Sequence, residues 1–437
     1  MDSTLIALLA TLGMLALLLT GFPVGLSLAT AGLAGLVAIG GPQMALAQLQ
    51  NLPYSLANDY SFAVIPTFVL MGNLAMHGGM ARELYTAADK WLGHLRGGLY
   101  LSTVAGSTVF GAASGSTLVN ATVFTKLALP EMLKLGYSRQ VSAACIASVG
   151  TLAAMIPPSV AMVVYGIVTE QSIGKLMVAG VIPGIVCALL YGILIVGMVR
   201  MRPALAPSRS TRSGWAERII SLRGIWAISL LFLIVMGGIY LGLFSPSASG
   251  AIGAAGAIVI LALRGRLTWP VVRDSVRNAA ITTAMLFIII IGGLLYSRML
   301  VMSGAVTSIV EWITSSGMSK LTLLAALCAM YIVLGCLTDA ISMLVVTLPF
   351  VFPIVKGAGL DPIWFGILCV QFLEIGAITP PVGLNLYATV SASDGVVSME
   401  DIVRGIWPFV VLNIAMLALL IAVPDLALYL PRLMEAK

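Results

Sequence analysis

The chain has 437 residues, 60% of them hydrophobic and 9% charged, with a mean hydropathy of +1.07 and a formal net charge of +6. Soluble domains carry roughly a quarter of their residues as charged types, so an ordinary soluble enzyme or a nucleic-acid binder is excluded. An all-α polytopic membrane protein is predicted instead. The length holds about ten spans of roughly 20 residues with short connections, which leaves no room for a large soluble domain.

In chain order, the run Leu5 to Leu19 lacks a basic leader and reads as a first span rather than a cleaved signal. Spans are predicted near 3–20, 24–40 and 60–77, then a hairpin at 98–134, a broken span at 139–168 and a span near 176–199. Residues 1–200 form a first repeat. A Pro-, Ser- and Arg-rich segment, 201–223, is the most polar stretch and reads as a basic cytoplasmic linker, with anionic lipid as an alternative partner. Residues 224–437 repeat the order: spans near 224–243, 248–263 and 278–297, a hairpin at 321–357, a broken span at 361–392 and a last span near 405–423. Amphipathic stretches near 79–97 and 264–276 are expected to lie along the inner surface as arms.

The repeat rests on spacing. Pro130 and Gly136 precede Pro157-Pro158 by 27 and 21 residues, and Pro353 and Gly359 precede Pro380-Pro381 by the same 27 and 21. Each hairpin is re-entrant and adds no crossing, so each half crosses five times and the second half is inverted. Basic residues test this, because short cytoplasmic loops accumulate Lys and Arg. With the N-terminus outside, sixteen of the 23 fall on inner segments and six on outer ones, with Lys126 inside the first hairpin. Both termini are therefore expected on the outer side.

Backbone that leaves the helix inside a bilayer needs protein or solvent to satisfy its polar groups. The first tip, Ser114-Gly115-Ser116-Thr117, supplies hydroxyls and carbonyls, and Thr338-Asp339-Ala340 is its counterpart. Unwound carbonyls at half-helix ends suit sodium, whereas half-helix N-termini favour anions. Adjacent prolines lack amide donors and disfavour the helix before them, so both spans should break at Pro157-Pro158 and Pro380-Pro381. Ionisable groups at membrane depth default to a functional reading. Asp339 is a candidate ligand or tip organiser. Glu374 is a candidate for ion or proton coupling, or a buried structural hydrogen-bond partner. Asn120 and Asn385 are candidate donors to a substrate carboxylate, or caps for carbonyls freed by the breaks. The five cysteines are scattered singly, without metal or disulfide spacing, and His77 and His94 flank glycines at span ends.

The stretches Phe110-Gly111-Ala112-Ala113-Ser114-Gly115-Ser116, Pro130-Glu131-Met132, Ile156-Pro157-Pro158-Ser159 and Ile375 to Leu386 resemble the large membrane subunit of the tripartite ATP-independent periplasmic (TRAP) transporters. So do Gly21-Phe22-Pro23-Val24-Gly25, Ile65-Pro66 with Gly72, His94 to Gly98, and Phe244-Ser245-Pro246, so nearly the whole chain is covered. The resemblance implies a sodium-driven elevator importer of the bacterial inner membrane with scaffold and transport domains. Its partners would be a small four-helix membrane subunit and a periplasmic substrate-binding protein, and its cargo a small organic acid, typically a carboxylate. Na+ is the coupling ion and no organic cofactor is implied.

Carried onto this sequence, one sodium site falls on Ser114, Gly115, Ser116 and Gly150 and the other on Thr338, Asp339, Ala377 and Thr379. The substrate falls near Thr117, Asn120, Pro158 and Asn385. Two departures stand out: Asn120 replaces a frequent acid after the first tip, and Ser245-Pro246-Ser247-Ala248 replaces a Thr-Pro-Thr-Glu run. A stand-alone sodium-coupled dicarboxylate carrier is the alternative. An intramembrane serine hydrolase at Ser114 lacks a nearby base, and a channel would need a continuous polar pore.

Overall fold

The computed structural model describes residues 2–207, 213–316, 318–336 and 339–435. Among them are twenty α-helices, two short 3-10 turns and no strand. Seven helices are long and apolar enough to cross a bilayer, or eight if the bent pair Arg139–Met155 and Val160–Val168, angled by 44°, is one span.

The first half runs α1 (Ser3–Leu19), α2 (Val24–Asn58), α3 (Val64–His77), α4 (Met80–Leu92), the pair α5 (Gly98–Ser114) and α6 (Thr117–Lys134), the broken span α7 (Arg139–Gly150), α8 (Leu152–Met155) and α9 (Val160–Val168), and α10 (Ile173–Met201). The second runs α11 (Trp215–Tyr240), α12 (Pro246–Leu263), α13 (Trp269–Met302), α14 (Ala305–Ser315), the pair α15 (Lys320–Gly335) and α16 (Ala340–Gly357), the broken span α17 (Pro362–Ile378) and α18 (Leu384–Ala392), then α19 (Met399–Ala422) and α20 (Asp425–Glu435).

Two elements differ from expectation. The second span does not stop near residue 40. Gly41 takes φ 81°, which kinks the chain, and Pro42, tolerated at the start of a new helix, opens a continuation to Asn58. The arm expected at 264–276 is absent as a separate helix, because nothing breaks the chain between Pro270 and Met302 and α13 runs through it. The short amphipathic helix of that half is α14 instead. It opens on Gly304 at φ 75°, as α4 opens on Gly79 at φ 79°. Helix α4 is bolted down by ion pairs of Glu83 with Arg264 and Arg266, both 2.6 Å, and of Lys90 with Glu217, 2.8 Å.

Small residues let the long helices touch backbone to backbone, the usual route to tight packing where lipid competes with apolar side chains. A Cβ on Gly25 would lie 2.9 Å from the Ile288 backbone, and one on Gly32 2.6 Å from the Tyr296 nitrogen, so α2 and α13 pack in near contact. Thr11 adds a hydroxyl pair with Tyr296 at 2.7 Å. The two halves also interlock at the centre: Asn385 on α18 donates to Ala147 O on α7, and Asn413 on α19 donates to Tyr191 on α10 at 2.6 Å.

Candidate functional site

The first helix pair turns on a few non-helical residues, and each pair lies against a broken span. At the first, α5 ends at Ser114, Gly115 adopts φ 59°, and Ser116 is extended, its hydroxyl accepting from Val119 N to cap α6. A Cβ on Gly115 would sit 2.8 Å from Pro158 O, so both the dihedral and the close approach require glycine. The facing span leaves the helix at Ile156, passes the cis Pro157-Pro158 bond and restarts at Ser159, whose hydroxyl accepts from Met162 N. At the second turn, Asp339 caps α16 by accepting from Ser342 N at 3.0 Å. Its facing span leaves the helix at Thr379, passes cis Pro380-Pro381 and restarts after Gly383 at φ 54°.

The pairs meet their breaks through equivalent contacts. A Cβ on Gly111 would lie 3.0 Å from the Ala153 Cα, and one on Gly335 2.9 Å from the Gly376 Cα. Ala153 and Gly376 each stand four residues before the first proline of their break. Matched spacing in the chain has become matched helix contact.

Both turns open on one cavity of about 560 Å³. It gathers Ser114, Gly115, Ser116 and Thr117 from the first turn, Asp339 from the second, and Ala377 and Asn385 from the second broken span. Gly150, Asn120, Thr379, Pro158 and Glu374 lie off its wall. Gly150 is buried where α7 meets Ala121, and its carbonyl accepts from Asn120 at 3.4 Å. Thr379 turns its hydroxyl back to Ile375 O at 2.6 Å. Pro158 packs behind Gly115, and Glu374 is wholly buried on α17. Thr338 lies outside the described residues.

The two asparagines donate to helix backbone. Asn120 donates to Ser107 O and Gly150 O, and Asn385 donates to Ala147 O at 3.1 Å. Asn120 therefore spends both of its N–H bonds on helix backbone and Asn385 one of its two, and in each the Oδ1 acceptor is unpaired. Both asparagines thus donate to helix carbonyls, and Asn385 keeps one N–H for a further acceptor. Only Asn385 lines the cavity.

Asn73 on α3 and Asn278 and Thr282 on α13 complete the wall opposite the turns. Sequence reasoning missed them, although an amide inside an apolar span was the available signal. The N-terminal turns of α6, α9, α16 and α18 all reach the cavity. Side-chain oxygens cap the first three, while α18 begins at Gly383 with no side-chain cap. Unpaired Ser114 Oγ and Asn385 Oδ1, with the Asp339 carboxylate, add oxygen acceptors. Helix amino ends suit an anion and oxygen clusters a hard cation, and this cavity offers both.

Residues 11–426 match the family model described as "Tripartite ATP-independent periplasmic transporter, DctM component". The chain is 32% identical over 379 residues to the C4-dicarboxylate TRAP transporter large permease protein DctM of Pseudomonas aeruginosa, covering 86% of this chain and 88% of that protein. It is 31% identical over 424 residues to the ectoine TRAP transporter large permease protein TeaC of Halomonas elongata, covering 95% and 97%. In fold it is similar to the YdaH transporter of Alcanivorax borkumensis, with TM-score 0.60 at 13% identity over 88% of each chain. With a family match across nearly its whole length, paired turns facing paired breaks and multiple apolar spans, this chain belongs to the DctM family of TRAP transporter large permeases, multi-span membrane transport proteins rather than enzymes.

Proposed function

We propose that the protein is the sodium-driven permease subunit for uptake of a small organic acid across a bacterial inner membrane. The observation that carries the reading is the shared cavity: two turns from separate halves present Ser114, Ser116 and Asp339 to one space ringed by helix amino ends. Sodium would be held by the turn oxygens, and the acid would sit beside Thr117, Asn385 and the uncapped start of α18. Asn73, Asn278 and Thr282 would close the opposite wall.

Movement follows an elevator: each helix pair and its broken span slide as one body past the remaining helices. A small four-helix membrane subunit completes the static part, and a periplasmic binding protein delivers the cargo. The C4-dicarboxylate and ectoine transporters among the relatives are what support an acid as cargo. The two halves are inverted, with both termini periplasmic and the segment between α10 and α11 cytoplasmic.

The test is uptake into proteoliposomes holding the permease with its small subunit, supplied with binding protein and cargo. An inward sodium gradient is expected to drive accumulation, and equal accumulation in sodium and potassium overturns the reading. Cysteines at Arg202 and Ala422, both exposed, should label from opposite sides of the membrane. Labelling from one side overturns the topology.

A further inference from the structure

Off the cavity wall is a polar cluster that the transport reading leaves unused. Glu374 is fully buried, and neither carboxyl oxygen has a hydrogen-bond partner. One turn earlier on the same face of α17, Gln371 is equally buried, with its Oε1 unpaired and its Nε2 donating to Asn413 Oδ1 at 2.9 Å. Asn413 donates onward to Tyr191 at 2.6 Å, and Tyr191 donates to Ser148 O at 3.3 Å. Ser148 Oγ is buried and unpaired as well. The cluster thus joins α7 and α10 of the first half to α17 and α19 of the second.

Its deficit has one sign. The unpaired atoms are four oxygens on Ser148, Gln371 and Glu374, and of these only the serine hydroxyl can donate. An ionised carboxylate would place an uncompensated charge there, the costliest arrangement in a low-dielectric interior. Cys187 and Tyr191 of α10 lie within electrostatic reach of Glu374, and neither is cationic at neutral pH. On the other helices packed round α17, the charges of α7, α15, α16, α19 and α20 sit at their ends, and α8, α9 and α18 have none. Tyr165 and Tyr331 on these helices are engaged elsewhere, with Pro362 O and Thr347.

We infer that Glu374 is a proton-binding site, occupied by one proton that makes it a neutral carboxylic acid donating to Gln371 Oε1. This deepens the transport reading, because a neutral acid lets the body containing the second break move without dragging a bare charge through the bilayer. Only a proton is gained, and no other bond changes.

The test is infrared difference spectroscopy of the purified, lipid-reconstituted protein, paired with sodium-driven uptake. Wild type should show the C=O stretch of a protonated carboxyl that Glu374→Gln removes, and Glu374→Gln, a permanently neutral donor, should keep uptake within about twofold. A spectrum lacking that band in wild type overturns the inference, as does a folded Glu374→Gln protein whose uptake falls more than about tenfold. If Glu374→Gln does not fold, Gln371→Met substitutes for it: removing the acceptor should shift the band to higher frequency, and an unmoved band overturns the assignment. The spectroscopic arm is independent of the driving ion, so its failure is distinguishable from failure of the sodium reading.

Discussion

The two turns occupy corresponding places in their halves yet are built with different chemistry. The first is capped by the Ser116 hydroxyl and pinned against Pro158 through Gly115, so it is neutral and tightly covered. The second is capped by the Asp339 carboxylate, which carries charge into the cavity. A shared geometry with unequal charge teaches that the halves are not interchangeable. In the reading proposed here, the second turn dominates cation affinity, while the first supplies hydroxyls and shape.

The sharpest attack on the comparison is steric. Gly376→Ala puts a methyl 2.5 Å from the Gly335 Cα, whereas Gly111→Ala meets Ala153 at 3.0 Å. Overpacking costs about 1–3 kcal/mol and more against backbone, so Gly376→Ala should lower the melting temperature further than Gly111→Ala. Equal shifts would mean that the two pair-to-break contacts are energetically alike.

Next in size is the charge difference. Asp339→Ala should raise the sodium concentration for half-maximal uptake by about tenfold or more, through loss of a carboxylate ligand as well as a cap. Ser116→Ala loses a neutral cap of about 1 kcal/mol, roughly a fivefold effect. A larger effect at Ser116 would reverse the assignment of the dominant site.

The smallest effect concerns the asparagines. Asn120→Asp removes donors to two carbonyls and Asn385→Asp a donor to one. At about 1 kcal/mol per hydrogen bond, Asn120→Asp should lower the melting temperature further than Asn385→Asp. Equal melting temperatures would mean that the two bonds of Asn120 stabilise the fold no more than the single bond of Asn385.

Much of the paired architecture was legible in the sequence, because proline and glycine act locally: Pro157-Pro158 and Pro380-Pro381 mark where helices end whatever surrounds them. Asn385 shows the limit. Its position beside the second break was readable, but its hydrogen bond to Ala147 O joins residues 238 apart in sequence. Asn73 and Asn278 were overlooked for the same reason, since each becomes part of the cavity only when α3 and α13 face the turns. The continuation of α2 past Gly41 was a local misreading, in which proline opened a helix rather than ending the span.

By itself the sequence determined an apolar, multi-span helical chain of two matched halves with a break and a polar turn in each, since hydropathy and proline act within a few residues. Only the tertiary structure decided that one cavity serves both turns, that the asparagines donate to distant backbone carbonyls, and that Glu374 is left without a partner. These depend on which distant groups arrive at hydrogen-bonding distance, and packing alone sets that.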